Sequence, residues 1–206
     1  MTQEGWTLIT HLSTPVSKAE IIKLKVGDIV YLSGTIITAR DRAHMRAKEY
    51  IRADKKVPNE FENSVVYHCG PIVKKKNGNW TVISAGPTTS YRMESLEHEL
   101  IQRFGIKMIV GKGGMGEKTA KALKEFKSVY CSFTGGAGAY ATQNIKKILN
   151  VEWLDLGTPE AVWIFEVLDF GPLVVSMDSH GGNLYNEVNK KVIQNYQMIL
   201  ESKNKY

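Results

Sequence analysis

Four short segments carry residue types that could do chemistry together. TARDRAHMR packs Arg40, Arg42, His44 and Arg46 around Asp41, four potential cations within seven residues. Such a cluster repels itself unless an anion or a buried carboxylate compensates it. It reads either as a solvated helix face or as an anion site in which Asp41 neutralises one cation and leaves another for a ligand. GPTTSYR supplies Thr88, Thr89 and Arg92, two hydroxyls near a guanidinium that can hold a carboxylate through two parallel hydrogen bonds. The same stretch also fits an ordinary helix-capping segment. GKGGMG sets Lys112 in a glycine-rich turn, and TGGAG provides a third turn with Gly135, Gly136 and Gly138.

GKGGMG matches G-x-G-x-x-G through Gly111, Gly113 and Gly116, but a dinucleotide site also needs an acidic residue at the end of the next strand. That strand ends Cys131-Ser132-Phe133-Thr134, without a carboxylate. A P-loop fails as well, because Glu117 stands between Gly116 and Lys118-Thr119. What survives is general: a helix N-terminus exposes unpaired N–H groups that favour anions, and Lys112 adds a full charge. Tight strand-to-helix packing explains the glycines equally well. His44, His68, His98 and His180 lack the spacing of a metal site. Cys69 and Cys131 sit in apolar stretches and read as packing residues. No nucleophile elbow, kinase signature or catalytic triad is present. These residues describe a cationic, hydroxyl-lined, glycine-walled cleft for a small carboxylate or phosphate, without specifying a reaction.

The elements that must position them follow two patterns. Up to about residue 85 the signals are mostly β. Asp28–Thr38 alternates β-branched residues, and the polar stretch after it reads as a helix through Ala43, Ala47, Tyr50 and Ile51. Val65–Lys74 and Trp80–Ala85 read as strands joined at Asn77-Gly78, a strong hairpin turn. Beyond residue 85 the pattern is strand, glycine-rich turn, helix: TVISAG into MESLEHELIQRF, IKMIV into EKTAKALKEF, SVYCSF into AYATQNIKKIL. Inward faces are expected at Leu96, Leu100, Ile101 and Phe104, then at Ala120, Leu123 and Phe126. Successive strand–helix units imply parallel strands whose C-terminal loops share one ligand-binding edge. PLVVSMD gives a further strand, and a helix starts near Glu187. The expectation is one α/β domain over residues 1–206, with a β-rich N-terminal part and parallel strand–helix units in the C-terminal part.

Composition narrows the classes. A 206-residue chain needs no disulfide staple, and two cysteines supply neither a disulfide framework nor an iron–sulfur ligand set. The opening MTQEGWTLITHL lacks the basic start and apolar core of a signal peptide, and no apolar run reaches the roughly 18 residues of a membrane span. A cytoplasmic protein is expected. The charge of +6 falls mostly on lysines of expected helix faces (KEFK, NIKKIL, NKKVIQ), without a nucleic-acid-binding motif.

Read in order, TARDRAHMR, GPTTSYRM, GKGGM and TGGAGA resemble the β subunit of the class I, iron–sulfur-dependent fumarate hydratases and L-tartrate dehydratases, over about Val26 to Tyr185. In one-chain versions the same region is the C-terminal domain. The resemblance implies a swivelling β/β/α fold and a partner α subunit, in an α2β2 heterotetramer, whose three cysteines hold a four-iron four-sulfur (4Fe-4S) cluster. The cluster's open iron would act as a Lewis acid. Motif by motif, it implies that Arg40, Arg92 and Lys112 bind the carboxylates of a small dicarboxylate. It also puts Thr88 at the proton-transfer step, with Thr89 beside it and Lys112 counted with the catalytic set. The implied reaction is reversible hydration of fumarate to malate, a step of the tricarboxylic acid cycle. L-Tartrate dehydration and a non-catalytic carboxylate-binding module are the alternatives. Arg42 stands where the family is usually small, and Thr158-Pro159 departs from its pattern, so neither inherits a role. His180 in MDSHGGN stands at a strand end and reads either as a site residue or as a structural turn histidine, and the role of Asp178 beside it is left open.

Overall fold

The β-branched run after Gly27 forms β2 (Ile29–Thr38), the strand on which the sheet is assembled in the computed structural model, which describes residues 8–203. The first seven residues of the stretch read for a leader lie outside those described. Ahead of β2, β1 (Ile9–Ser13) pairs with it in parallel, and α1 (Lys18–Lys23) connects the two. This helix starts at a capping box: Glu20 N–H donates to Ser17 Oγ (3.2 Å) and Ser17 N–H to Glu20 Oε2 (2.8 Å). The cationic cluster becomes α2 (Asp41–Arg52), as its apolar spacing predicts.

The expected strand Val65–Lys74 is instead two strands in different sheets. β3 (Val65–Tyr67) joins the main sheet, while β4 (Ile72–Lys76) pairs antiparallel with β5 (Asn79–Ser84). The break falls at Gly70-Pro71. Proline cannot donate to a ladder, and a Cβ on Gly70 would lie 2.6 Å from the Arg40 guanidinium carbon. The Asn77-Gly78 turn is as read, with φ of +50° and +81°.

Next come α3 (Glu94–Phe104), β6 (Met108–Gly111), α4 (Glu117–Phe126) and β7 (Val129–Ser132). Strands β6 and β7 run parallel, as the strand–helix pattern requires, but the third parallel strand beside them is β3, whereas TVISAG, expected there, lies in the antiparallel hairpin as β5. The expected helix AYATQNIKKIL stops early: α5 covers only Gly138–Asn144, and Ile145–Glu152 is β8. Its inward residues Ile145, Ile148 and Val151 are three apart because two irregularities in register interrupt the pairing, so a strand imitates helical spacing. The expected strand PLVVSMD is the second half of β9 (Val162–Met177), which is antiparallel to β2, β7 and β8. Finally α6 (Leu184–Lys203) leaves Val188, Val192, Ile193 and Tyr196 exposed.

The main sheet has the order β1-β2-β3-β6-β7-β9-β8, and the extra β2–β9 pairing closes a circuit through β2, β3, β6, β7 and β9. Alternation along the parallel strands divides two cores. Tyr67, Val110 and Cys131 face Leu32, Trp163 and Phe170 inside the circuit. Val66, Ile109 and Tyr130 lie in the other core, with Ala43 and Ala47 of α2, Leu100 of α3 and Leu123 of α4. Each large aliphatic side chain so buried contributes about 1.5–3 kcal/mol. Of the faces expected on the helices, Leu100, Ile101 and Leu123 are fully buried, whereas Leu96, Ala120 and Phe126 are half-buried.

Candidate active site

Loops leaving the C-terminal ends of β2, β3, β6 and β7 share one edge of the sheet, the position where α/β proteins bind ligands. The GPTTSYR loop reaches that edge by a route the sequence did not suggest. It follows the hairpin strand β5, not a parallel strand of the main sheet. It is drawn in because Thr88 N–H donates to the His68 carbonyl at the end of β3 (2.7 Å), and because Cys69 bridges Pro87. Thr89 then pairs with Lys112, and Ser90 N–H donates to the Lys112 carbonyl (2.9 Å). Thr88, Thr89 and Lys112 are therefore brought together by backbone contacts. Gly111 is needed here, since a Cβ on it would sit 1.9 Å from Ser90 Oγ.

The cations differ in how far the protein has already neutralised them. Arg92, half exposed, forms a two-pronged pair with Asp41, through Nε (3.0 Å) and Nη2. Arg40 Nη2 pairs with Glu160 Oε1 (2.7 Å), while its buried Nε has no partner. Arg46 is held by Asp155 at 2.6–2.8 Å, which raises its pKa, and Arg42 Nη1 donates to the Leu156 carbonyl (3.3 Å). Lys112 has no ion-pair partner among the described residues, and its stem passes 3.4 Å from where a Cβ on Gly135 would lie. The hydroxyls of Thr88 and Thr89 make no hydrogen bond within the described chain. The TARDRAHMR cluster is thus mostly compensated from outside itself, by Glu160, Asp155 and Glu97, while Asp41 takes Arg92 from a different loop.

At the α4 N-terminus, read as a place for an anion, the structure sets an internal carboxylate. It belongs to Glu94 and accepts from Gly116 N–H (2.7 Å), Lys118 N–H (2.9 Å), Thr119 N–H (3.3 Å) and Thr119 Oγ1 (2.6 Å). At α2, Glu160 accepts from one N–H of the first turn, that of Arg42 (2.9 Å). An internal carboxylate satisfies the unpaired N–H groups as well as a ligand could. Glu94→Ala is expected to lower stability by about 1–2 kcal/mol through loss of this cap, measured by denaturant unfolding.

Behind the cradle lies a fully buried polar cluster that histidine spacing had not indicated. His44 Nε2 (2.7 Å) and His68 Nε2 (2.9 Å) both meet Glu97 Oε2. His44 Nδ1 faces the Arg40 carbonyl (3.0 Å), and His68 Nδ1 faces Ser90 Oγ (2.9 Å). Ser90 Oγ accepts from Tyr130 OH (3.0 Å), which in turn accepts from Gly114 N–H (3.3 Å). Burial lowers the pKa of His68. For His44, burial is outweighed by the adjoining Glu97 carboxylate and the pKa rises. Burial would raise Glu97, but its two imidazoles hold it well below the usual carboxylate range. One signal for Glu97 was present: it falls on the buried face of α3 with Leu100, Ile101 and Phe104.

Several remaining residues are structural. The Asp178 carboxylate accepts from His180 N–H (2.9 Å), Gly182 N–H (2.8 Å) and Val26 N–H (3.1 Å), fixing the turn after β9. His180 Nε2 meets the Ile22 carbonyl of α1 (2.7 Å). Cys69 and Cys131 are buried free thiols whose pKa values burial pushes up, so neither is a ready thiolate. A groove of about 650 Å³ between β5 and β8, lined by Trp80, Val82, Ile145 and Ile148, holds none of the cradle residues.

Comparison with known proteins identifies the family. Residues 3–188 match the family model described as Fumarase C-terminus. Over 186 residues, 90% of this chain, it is 47% identical to a Methanocaldococcus jannaschii protein provisionally named an L(+)-tartrate dehydratase β subunit, covering 95% of that protein. It is 40% identical to the L(+)-tartrate dehydratase β subunit of Escherichia coli over 92% of this chain and 93% of the relative. It is also 41% identical to a Geobacillus stearothermophilus protein provisionally named a class I fumarate hydratase, over 94% of this chain but only 37% of that longer protein. A model match over most of its length, with relatives of this identity on both sides, places the chain in the Fumarase C-terminus family.

Proposed function

We propose that this chain is the β subunit of a hydro-lyase that adds water reversibly across the double bond of fumarate to give malate, active only with an α subunit. The observation that carries the reading is Lys112, a cradle cation without a counter-ion among the described residues, paired through its backbone with a loop whose two threonine hydroxyls make no hydrogen bond to them. The 4Fe-4S cluster belongs to the α subunit, in an α2β2 assembly. Cys69 and Cys131 are separately buried with raised thiol pKa values and do not fit it, so this chain's role lies in its own side chains.

Those side chains bind and orient a dianion. Lys112 takes one carboxylate as a point charge. Arg40 keeps donors beyond the nitrogen engaged by Glu160, and its fork suits a carboxylate. Arg92, exposed and already held by Asp41, meets the substrate at the rim. The Thr88 hydroxyl moves the carbon-bound proton, with Thr89 beside it and the final acceptor supplied by the partner. A hydroxyl is a weak base at its free pKa, and the adjoining cations favour its ionised form.

Anaerobic co-expression with the α subunit, followed by assays with fumarate, malate and tartrate, tests the reading. The complex is expected to hydrate fumarate and the isolated chain to be inactive with all three. Activity in the isolated chain would sink the divided site. The names of the relatives that match over nearly their whole length favour a second reading, L-tartrate dehydration, which faster turnover of tartrate than of fumarate would establish.

A further inference from the structure

We propose that the buried chain Gly114–Tyr130–Ser90–His68–Glu97–His44–Arg40 is a hydrogen-bond spine, its donors converging on Glu97 from both sides, that sets the three cradle loops relative to one another, with His44 as an imidazolium and His68 as the neutral Nε2–H tautomer. The proposal rests on the hydro-lyase reading for its catalytic consequence, but not for its geometry.

Donor and acceptor are fixed at both ends. Gly114 N–H can only donate, and the Arg40 carbonyl can only accept. Tyr130 OH accepts from Gly114 and therefore sends its own hydrogen to Ser90 Oγ. Among the described residues His68 Nδ1 is the acceptor open to the buried Ser90 hydrogen, so Ser90 donates to it and that nitrogen carries no hydrogen. His68 is left with Nε2–H, and this donates to Glu97 Oε2. Glu97 Oε2 receives the other imidazole too, so a single carboxyl proton could not satisfy both contacts. His44 faces a carboxylate with Nε2 and a carbonyl with Nδ1, so both of its nitrogens carry hydrogen. One anion and one cation result, a neutral buried pair. The directions of the pKa shifts of His44, His68 and Glu97 agree with this assignment.

The spine is tied to all three proposed substrate-contacting loops. It ends on the carbonyl of Arg40 itself. Thr88 hangs from the His68 carbonyl (2.7 Å), and Ser90 N–H holds the Lys112 carbonyl (2.9 Å). A shift anywhere along the spine therefore moves Arg40, Thr88 or Lys112. The three imidazole and carboxylate ligand atoms lie within 4.8 Å of one another, which would also suit a metal ion. The 2.7 and 2.9 Å separations are hydrogen-bond lengths, and the chain accounts for every nitrogen.

The test joins spectroscopy with kinetics. In the full chain with ¹⁵N-labelled histidine, His44 is expected to show both ring nitrogens protonated at pH 7, and His68 the Nε2–H tautomer. Neutral His44, the opposite His68 tautomer, or stoichiometric bound zinc in place of the Nε2 protons would overturn the spine. In the complex with the α subunit, Tyr130→Phe and Ser90→Ala cut the chain without touching substrate. Each is expected to lower kcat by about 10- to 100-fold, with a smaller change in KM, because misplacement far from the chemistry acts on the transition state. Wild-type kcat in both would refute the positioning role. If the unsubstituted complex turns over neither fumarate nor tartrate, the hydro-lyase reading fails alone. The spine is then decided by whether the same substitutions shift the amide resonances of Arg40, Thr88 and Lys112, as expected, or leave them in place.

Discussion

Lys112→Ala in the complex with the α subunit is expected to lower turnover by about 10²–10³-fold and leave assembly intact, a loss of the size seen when one preorganised charge-stabilising group is removed from an active site. The size follows from what each cation already holds. Truncating Arg40 or Arg92 releases Glu160 or Asp41, so those variants both lose a cation and bare an internal carboxylate next to an anionic substrate. Their effects mix binding, repulsion and local disorder. Lys112 has no ion-pair partner to release among the described residues, and its stem passes close to the exposed turn at Gly135. Its removal subtracts the substrate contact and little else. Size-exclusion chromatography with steady-state kinetics checks both halves of the expectation. Unchanged turnover removes Lys112 from the site, whereas loss of the complex assigns it to the interface.

The motif residues were legible because their chemistry is local. A threonine pair near an arginine or a lysine in a glycine turn is visible within seven residues of sequence. What compensates them was not, because each compensating group comes from far along the chain. Glu160 reaches Arg40 from 120 positions away, and Glu94 caps a helix that begins at Glu117. Read locally, the glycines of GKGGMG and the α4 N-terminus looked like a ligand site. In the fold, Gly116 lies against the Glu94 carboxylate, and Gly111 makes room for Ser90. The same limit explains the fold-level differences. The break at Gly70 answers to Arg40, a contact across 30 residues, and β8 looked helical because interrupted pairing changed its period. Parallel β6 and β7, whose signals are local and repeated, were read correctly.

The second large effect is on stability. Glu97→Gln is expected to destabilise the chain by about 3–5 kcal/mol near pH 6, the usual cost of removing one partner from a buried charge pair. The glutamine carbonyl can still accept from an imidazole, so the loss is chiefly the charge that keeps His44 protonated. The pH dependence separates this from a packing defect. His44 has a raised pKa in the fold, so its contribution is complete below its unfolded value near 6.5 and is lost as pH rises through the raised one. Glu97 has a lowered pKa, so its contribution is complete above its unfolded value near 4.5 and is lost as pH falls below it. His68, lowered by burial, opposes folding at acid pH because the unfolded chain binds a proton that the fold rejects. Asp41, the other charge acting on both histidines, adds to the attraction for their protonated forms. In the variant His44 resembles His68, so its stability should rise with pH up to about 6.5 and then level off. The difference between native and variant chains is therefore widest between about pH 4.5 and 6.5 and narrows on the alkaline side, as His44 gives up its proton. Denaturant unfolding of both chains at pH 5, 6, 7 and 9 measures that difference directly. A gap that stayed constant across the series would mean that Glu97 serves as a space-filling acceptor and that His44 carries no charge.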